Sequence, residues 1–292
     1  MGANSKIEWT HHTFNPWIGC TQISAGCENC YAEIMSKRTF KIEWGPGKPR
    51  KRTSAANWAL PLKWNREAIA EGVRKRVFCA SLADVFDNEV DPQWRVDLLA
   101  LIAVTPHLDW LLLTKRIGNV NAMLIEAKLL STNWDGVDVK NIPCPSPAFD
   151  MLLGWLGGRP PANIWIGATT CNQAEADRDI PKLLDVPAAK RFLSIEPMLG
   201  RIEIGFALPW QLADSRYKNS IDWVIVGGES SPGARPMKPN WVRRIRDECT
   251  NAGVAFLFKQ WGEFDVDGVR VGKKTAGRIL DGAEYNAVPL SS

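Results

Sequence analysis

Six short apolar runs, each ending in a polar or glycine-rich signature and most followed by a helical pattern, constrain this chain more than anything else in it. They occupy 76–81, 109–116, 163–169, 191–197, 222–229 and 254–260. Continuous apolar runs, rather than alternating ones, suit strands covered on both faces. Between them, 92–104 carries Trp94, Leu98, Leu101 and Ile102 at helical spacing, behind an Asp91 cap and with Pro92 in the first turn. The segment 241–252 places Val242, Ile245 and Cys249 on one face and stops at Gly253. Strand and helix in alternation mean βαβ units, parallel pairing and right-handed crossovers.

An opening strand near 13–18 brings the count to about seven, which fits an α/β fold of the partial or complete parallel β/α (TIM-like) barrel type better than a five-stranded doubly wound sheet. Two stretches break the rhythm and read as insertions: 40–64, and 131–162 with Pro143, Pro145, Pro147, Pro160 and Pro161. Residues 264–292 lack a core-strand run. The organisation expected is one domain over 1–263 and an exposed C-terminal tail over 264–292, with room for a small hairpin.

Composition narrows the setting. At 292 residues, 45% hydrophobic and 23% charged, the chain is ordinary globular material. No stretch approaches the roughly 18 apolar residues of a membrane span, and 1–9 lacks the apolar core of a signal peptide. A soluble, cytoplasmic protein without a membrane partner is expected. The net charge of +4 permits a nucleic-acid partner without requiring one, and the basic cluster from Lys48 to Arg52 reads as a solvated loop. Fourteen tryptophans against three tyrosines read first as core packing, with base stacking as the alternative.

Seven cysteines in such a chain are ligands or small buried residues rather than disulfides. Cys79, Cys144, Cys171 and Cys249 are scattered, and Cys79 sits inside an apolar run. Cys20, Cys27 and Cys30 cluster, with six and then two residues between them. Three thiolates on one loop, with no fourth cysteine nearby in sequence, suit a [4Fe–4S] cluster that keeps one iron free of protein ligands. A zinc site would want a fourth ligand, which His11 or His12 could supply; three buried, unligated thiols are the plainest alternative. Gly19 and Gly26, each directly before a cysteine, allow the backbone to wrap closely.

A cysteine triplet after the first strand of a β/α barrel resembles the arrangement of the radical S-adenosyl-L-methionine (SAM) superfamily. Asn15-Pro16-Trp17, Gly19-Cys20, Gly26-Cys27 through Tyr31-Ala32, 191–197, Val226 through Ser230, Ala234 through Met237, Phe258 through Gly262 and Gly272 through Arg278 are similar to a phage and prophage family, gene-product-37/gene-product-68, a domain of unknown function. The superfamily's usual spacing is three residues and then two. Its glycine-glycine-glutamate motif normally follows the second strand, whereas Gly227-Gly228-Glu229 stands near the sixth. The resemblance implies a radical SAM enzyme. Cys20, Cys27 and Cys30 would hold the cluster, SAM would be cleaved to a 5′-deoxyadenosyl radical, a flavodoxin- or ferredoxin-type protein would be the reductant, and the substrate would be a small molecule, a nucleobase or nucleic-acid-derived.

In a β/α barrel the working groups stand at the carboxyl ends of the strands, and here those ends are polar. Lys115 or Arg116 is the candidate for the SAM carboxylate, and Ser194 or Glu196 for its amino or ribose groups. Asp84, Glu229 and Lys259 are left for substrate. Capping or pairing with Asp84 is the simpler alternative for Lys115 and Arg116. Two rival readings stay open: a zinc- or Fe–S-stabilised nucleic-acid-binding phage protein without catalysis, and a hydrolase using Asp84, Glu196 and Glu229.

Overall fold

The computed structural model describes residues 2–3, 5–132, 146–209 and 219–290. Its strands are β1 (Gly2–Ala3), β2 (His12–Thr13), β3 (Trp17–Ile18), β4 (Lys51–Arg52), β5 (Lys75–Cys79), β6 (Leu108–Thr114), β7 (Ile164–Thr169), β8 (Lys190–Ile195), β9 (Trp223–Gly227) and β10 (Ala255–Gln260). Eight form one sheet in the order β1-β2-β5-β6-β7-β8-β9-β10, while β3 and β4 make a small antiparallel ribbon. The seven strands from β2 to β10 pair in parallel, and β1 is antiparallel to β2. The sheet curls into a half-barrel: side chains at or just beyond the carboxyl ends of β5, β6, β7, β8 and β10 line one pocket.

Pleating divides each strand between two cores. Val77, Cys79, Trp110, Leu112, Ile164, Ile166, Leu193, Ile195, Val224 and Val226 join the large core shared with the helices. Phe78, Leu111, Trp165, Phe192, Trp223, Ile225 and Leu257 point the other way, into the lumen, where Trp9 joins them. Trp223 is the hub, with ring centroids 6.1 Å from Trp9, 6.2 Å from Trp165 and 5.9 Å from Phe192. At Gly167 a Cβ would run into the Phe192 ring, so this glycine makes room for it. The tryptophans near the strands are therefore core residues: Trp165 and Trp223 fill the lumen, and Trp110 packs on the helix side.

The helices are α1 (Tyr31–Met35), α2 (Ala55–Trp58), α3 (Leu60–Glu71), α4 (Pro92–Ala103), α5 (Val120–Ser131), α6 (Ala148–Leu156), α7 (Gln173–Asp185), α8 (Pro239–Ala252) and α9 (Lys273–Ala276). Asp91 caps α4 by accepting from the Gln93 N–H at 2.9 Å, and Gly253, at φ +68°, ends α8. The supposed insertion at 131–162 contains α6, which buries Ala148, Leu152 and Trp155; Pro143 and Pro145 lie outside the described residues. Two further expectations need correction. The Lys48–Arg52 cluster is not simply solvated: Arg50 pairs with Asp87 at 2.8 Å with both side chains 1% exposed. Arg52 lies over the Trp58 ring at 4.2 Å and bonds Asp97 at 2.7 Å. Nor does the segment after 263 simply trail. Tyr285 O accepts from Phe258 N at 3.0 Å and Ala287 N donates to Phe256 O at 3.2 Å, which covers the open edge of β10. Among the described residues no helix is long and apolar enough to cross a membrane.

Candidate functional site

The cysteine loop begins where β3 ends. Gly19 adopts φ +119°, a conformation that favours glycine, and its N–H donates to Leu82 O at 3.1 Å, tying the loop to the segment after β5. Ser24 caps a single turn over Ala25–Cys27 by accepting from Gly26 N at 3.1 Å. Cys30 precedes α1, and the Tyr31 hydroxyl donates to Ser81 O at 2.9 Å.

Cys20, Cys27 and Cys30 line a pocket of about 170 Å³ together with Tyr31, Ser81, Asp84, Thr114, Lys115, Arg116, Thr169, Ser194, Glu196 and Lys259. Trp9 and Phe78 from the lumen core contribute to its apolar part, with Ile7, Trp44 and Leu113. Glu229 is not in the lining. Its carboxylate accepts from Arg235 N, Nε and Nη2 at 2.8, 3.0 and 2.8 Å, and Arg235 continues to Glu28 at 2.7 Å and to Ala25 O at 2.9 Å.

Asp84 is surrounded by donors. It accepts from Thr114 Oγ1 at 2.7 Å, Phe86 N at 2.9 Å, Lys115 N at 3.0 Å and Arg116 Nη1 at 3.3 Å. The same Nη1 lies 3.4 Å from Cys20 Sγ, and Nη2 donates to Thr21 O at 2.9 Å. Burial, with Asp84 behind it, pushes the Cys20 thiol up to about 12 against the opposing pull of Arg116. Lys115 faces other thiols. Burial acts to lower its pKa, but Cys171, Cys27, Cys30 and Asp84 outweigh it and the net is upward. Across the pocket Lys259 pairs with Glu196 at 2.8 Å, and Ser194 Oγ donates to the other Glu196 oxygen at 3.3 Å. Burial alone would lower the Lys259 pKa; Glu196 overrides it and raises it, so the ammonium stays charged.

Two features were out of reach in the sequence reading. Cys171, two residues past β7, packs its sulfur directly against Gly26, where no Cβ would fit. Four cysteines therefore gather here although three cluster in the chain. Burial pushes the Cys171 thiol up to about 12. The other is the segment after β9, which grips the cysteine loop. Besides Arg235, Ser231 Oγ donates to Asn29 O at 2.5 Å and Asn29 Nδ2 to Gly233 O at 2.8 Å. The position of Cys171 just beyond a strand's carboxyl end was the one available signal for it. Arg235 lies within the Ala234–Met237 segment, where nothing local to the sequence gives it a role.

The histidines do not complete a zinc site. His12 stacks on Trp64 at 4.4 Å in the helix layer, and His11 Nδ1 accepts from Arg76 N at the amino end of β5, away from the cysteines. Among the described residues no three His, Cys, Asp or Glu side chains converge as ligands of one ion.

Residues 4–289 match the profile of a family described as protein of unknown function (DUF5131). The chain belongs to that family. Among solved structures, the DUF5131 chain is similar to a spore photoproduct lyase complexed with dinucleoside spore photoproduct, at a TM-score of 0.44 and 12% identity over 86% of this chain and 64% of that one. The DUF5131 chain thus spans less than two thirds of that protein's length. No curated protein sequence matches it.

Proposed function

We propose that the chain is a radical SAM-type enzyme that holds a [4Fe–4S] cluster on Cys20, Cys27 and Cys30 and acts on a nucleobase or nucleic-acid-derived substrate. The supporting observation is that three cysteines line one pocket together with polar side chains at or just beyond the carboxyl ends of five parallel strands. The donor set fits the group. It is all thiol, sits on one glycine-relieved loop, and is flanked by two cations able to balance anionic sulfur. When bound and reduced, such a cluster with SAM supplies cleavage of the S–C5′ bond to methionine and a 5′-deoxyadenosyl radical.

The chain's own residues divide the remaining work. Lys115 suits the SAM carboxylate, because its ammonium faces the thiols at the pocket rim while Arg116 is already spent on Cys20 and its neighbours. Ser194 and Glu196 suit amino or ribose groups, with Lys259 holding Glu196 in place. Asp84 accepts four hydrogen bonds and in this reading orients Lys115 and Arg116 rather than meeting a substrate. Glu229 fixes the cysteine loop through Arg235. Trp9 and Phe78 give the pocket an apolar wall. A flavodoxin- or ferredoxin-type reductant belongs to this reading.

Anaerobic reconstitution with iron and sulfide, followed by EPR of the dithionite-reduced protein with and without SAM, tests it. A reduced [4Fe–4S] signal that changes on adding SAM is expected. A colourless protein that retains one zinc and ignores SAM would instead favour the rival binding protein without catalysis. The proximity of Cys171 gives that rival a fourth thiol to draw on.

A further inference from the structure

We propose that Arg116 sets the reduction potential of the cluster held by Cys20; this rests on the reading of the site given above and deepens it. The side chain is 7% exposed. A guanidinium has five N–H donors in a rigid fork, and here the fork is aimed. Nη1 lies 3.4 Å from Cys20 Sγ and 3.3 Å from Asp84 Oδ2; Nη2 donates to Thr21 O at 2.9 Å and stands 3.7 Å from Asp87 Oδ1. Both carboxylates behind it are themselves fixed. Thr114, Lys115 and Phe86 donate to Asp84, and Arg50 Nε donates to Asp87 at 2.8 Å. The donor therefore cannot swing toward a substrate. It remains a fixed N–H and a fixed positive charge against one ligating sulfur.

One-electron reduction makes a cluster and its thiolates more negative. A hydrogen bond to sulfur and a nearby cation stabilise that state more than the oxidised one, so each raises the potential. Removing them should lower it. A residue that merely capped the turn at Ile117–Asn119 would change stability and leave the potential where it was.

The test is a dithionite titration of the reconstituted protein, followed by EPR, for the unaltered chain, Arg116→Gln and Arg116→Lys, with circular dichroism as the check on folding. Arg116→Gln should shift the reduction equilibrium about tenfold toward the oxidised cluster, equivalent to about 59 mV for a one-electron couple. Arg116→Lys keeps the charge between Asp84 and Asp87 but loses the fork, and should shift it in the same direction by less. If Arg116→Gln does not fold, the lysine variant decides alone. Unchanged midpoints in the folded variants overturn the assignment. If the unaltered chain yields no reduced-cluster signal, the reading of the site falls as well, which is a different result from a cluster whose midpoint ignores Arg116.

Discussion

Gly26 and Cys171 touch without space for a methyl group between them, so a buried thiol stands behind the cysteine loop rather than in the pocket lining. If Cys20, Cys27 and Cys30 are the ligands, Cys171→Ala should keep both its iron content and a SAM-responsive EPR signal. If Cys171 is a fourth ligand in a closed site, the same variant loses its metal. A second residue makes its prediction in pH. His12 is buried on Trp64, and neither of its ring nitrogens has a partner. Burial, assisted by Lys75 and His11 and opposed by Glu67 and Glu71, lowers its pKa from 6.5 to about 4. The folded state then binds fewer protons than the unfolded one between those values. This group's contribution to stability is fully present above pH 6.5 and is lost as pH falls toward 4. His12→Phe, which keeps the stacking, should flatten that part of a stability-versus-pH profile measured by urea unfolding; an unaltered slope would assign the loss to other groups.

Between elements, the contact that matters most for the site joins the segment after β9 to the loop after β3. Arg235 and Ala25 are 210 residues apart in sequence yet share a hydrogen bond, and Glu229, with its side chain 4% exposed, depends on Arg235 for its pairing. Arg235→Ala leaves that carboxylate without its cation, at a cost of about 1–3 kcal/mol. It also frees one side of the cysteine loop. The expected outcome is a lower melting temperature together with several-fold faster loss of iron to a chelator. Equal rates of iron loss would show that the grip is irrelevant to the site. Arg235→Lys should recover part of the melting temperature, since it restores the charge but not the multiple contacts.

For the whole molecule, much of the architecture was legible in the sequence because parallel strands covered on both faces must be apolar throughout. Each of the six runs overlaps a strand of the sheet. The exposed-tail reading was incomplete because 285–288 work through backbone hydrogen bonds and small contacts, which leave no hydropathy signature. Deleting 285–292 removes the Phe258–Tyr285, Phe256–Ala287 and Trp223–Ala287 hydrogen bonds. It also removes the Tyr285 ring packed on Phe256 at 5.6 Å. At about 1 kcal/mol net for each hydrogen bond, a loss of about 3 kcal/mol is expected, with greater aggregation from the bared β10 edge. An unchanged thermal unfolding midpoint would refute this. The site was only half legible for a related reason. Clustered cysteines and polar strand ends are local patterns, whereas Cys171 behind Gly26 and Arg235 beneath Ala25 exist only once distant strands are side by side.

The aromatic packing around Trp223 has a consequence for traffic. Trp9 and Phe78 line the chamber, and the Trp165, Phe192 and Trp223 rings of the same core fill the lumen, so the packed lumen offers the chamber no second way through. Two molecules that must occupy it together cannot pass one another. Whichever lies deeper has to arrive first and depart last, and steady-state kinetics with two substrates should show a compulsory order rather than a random one.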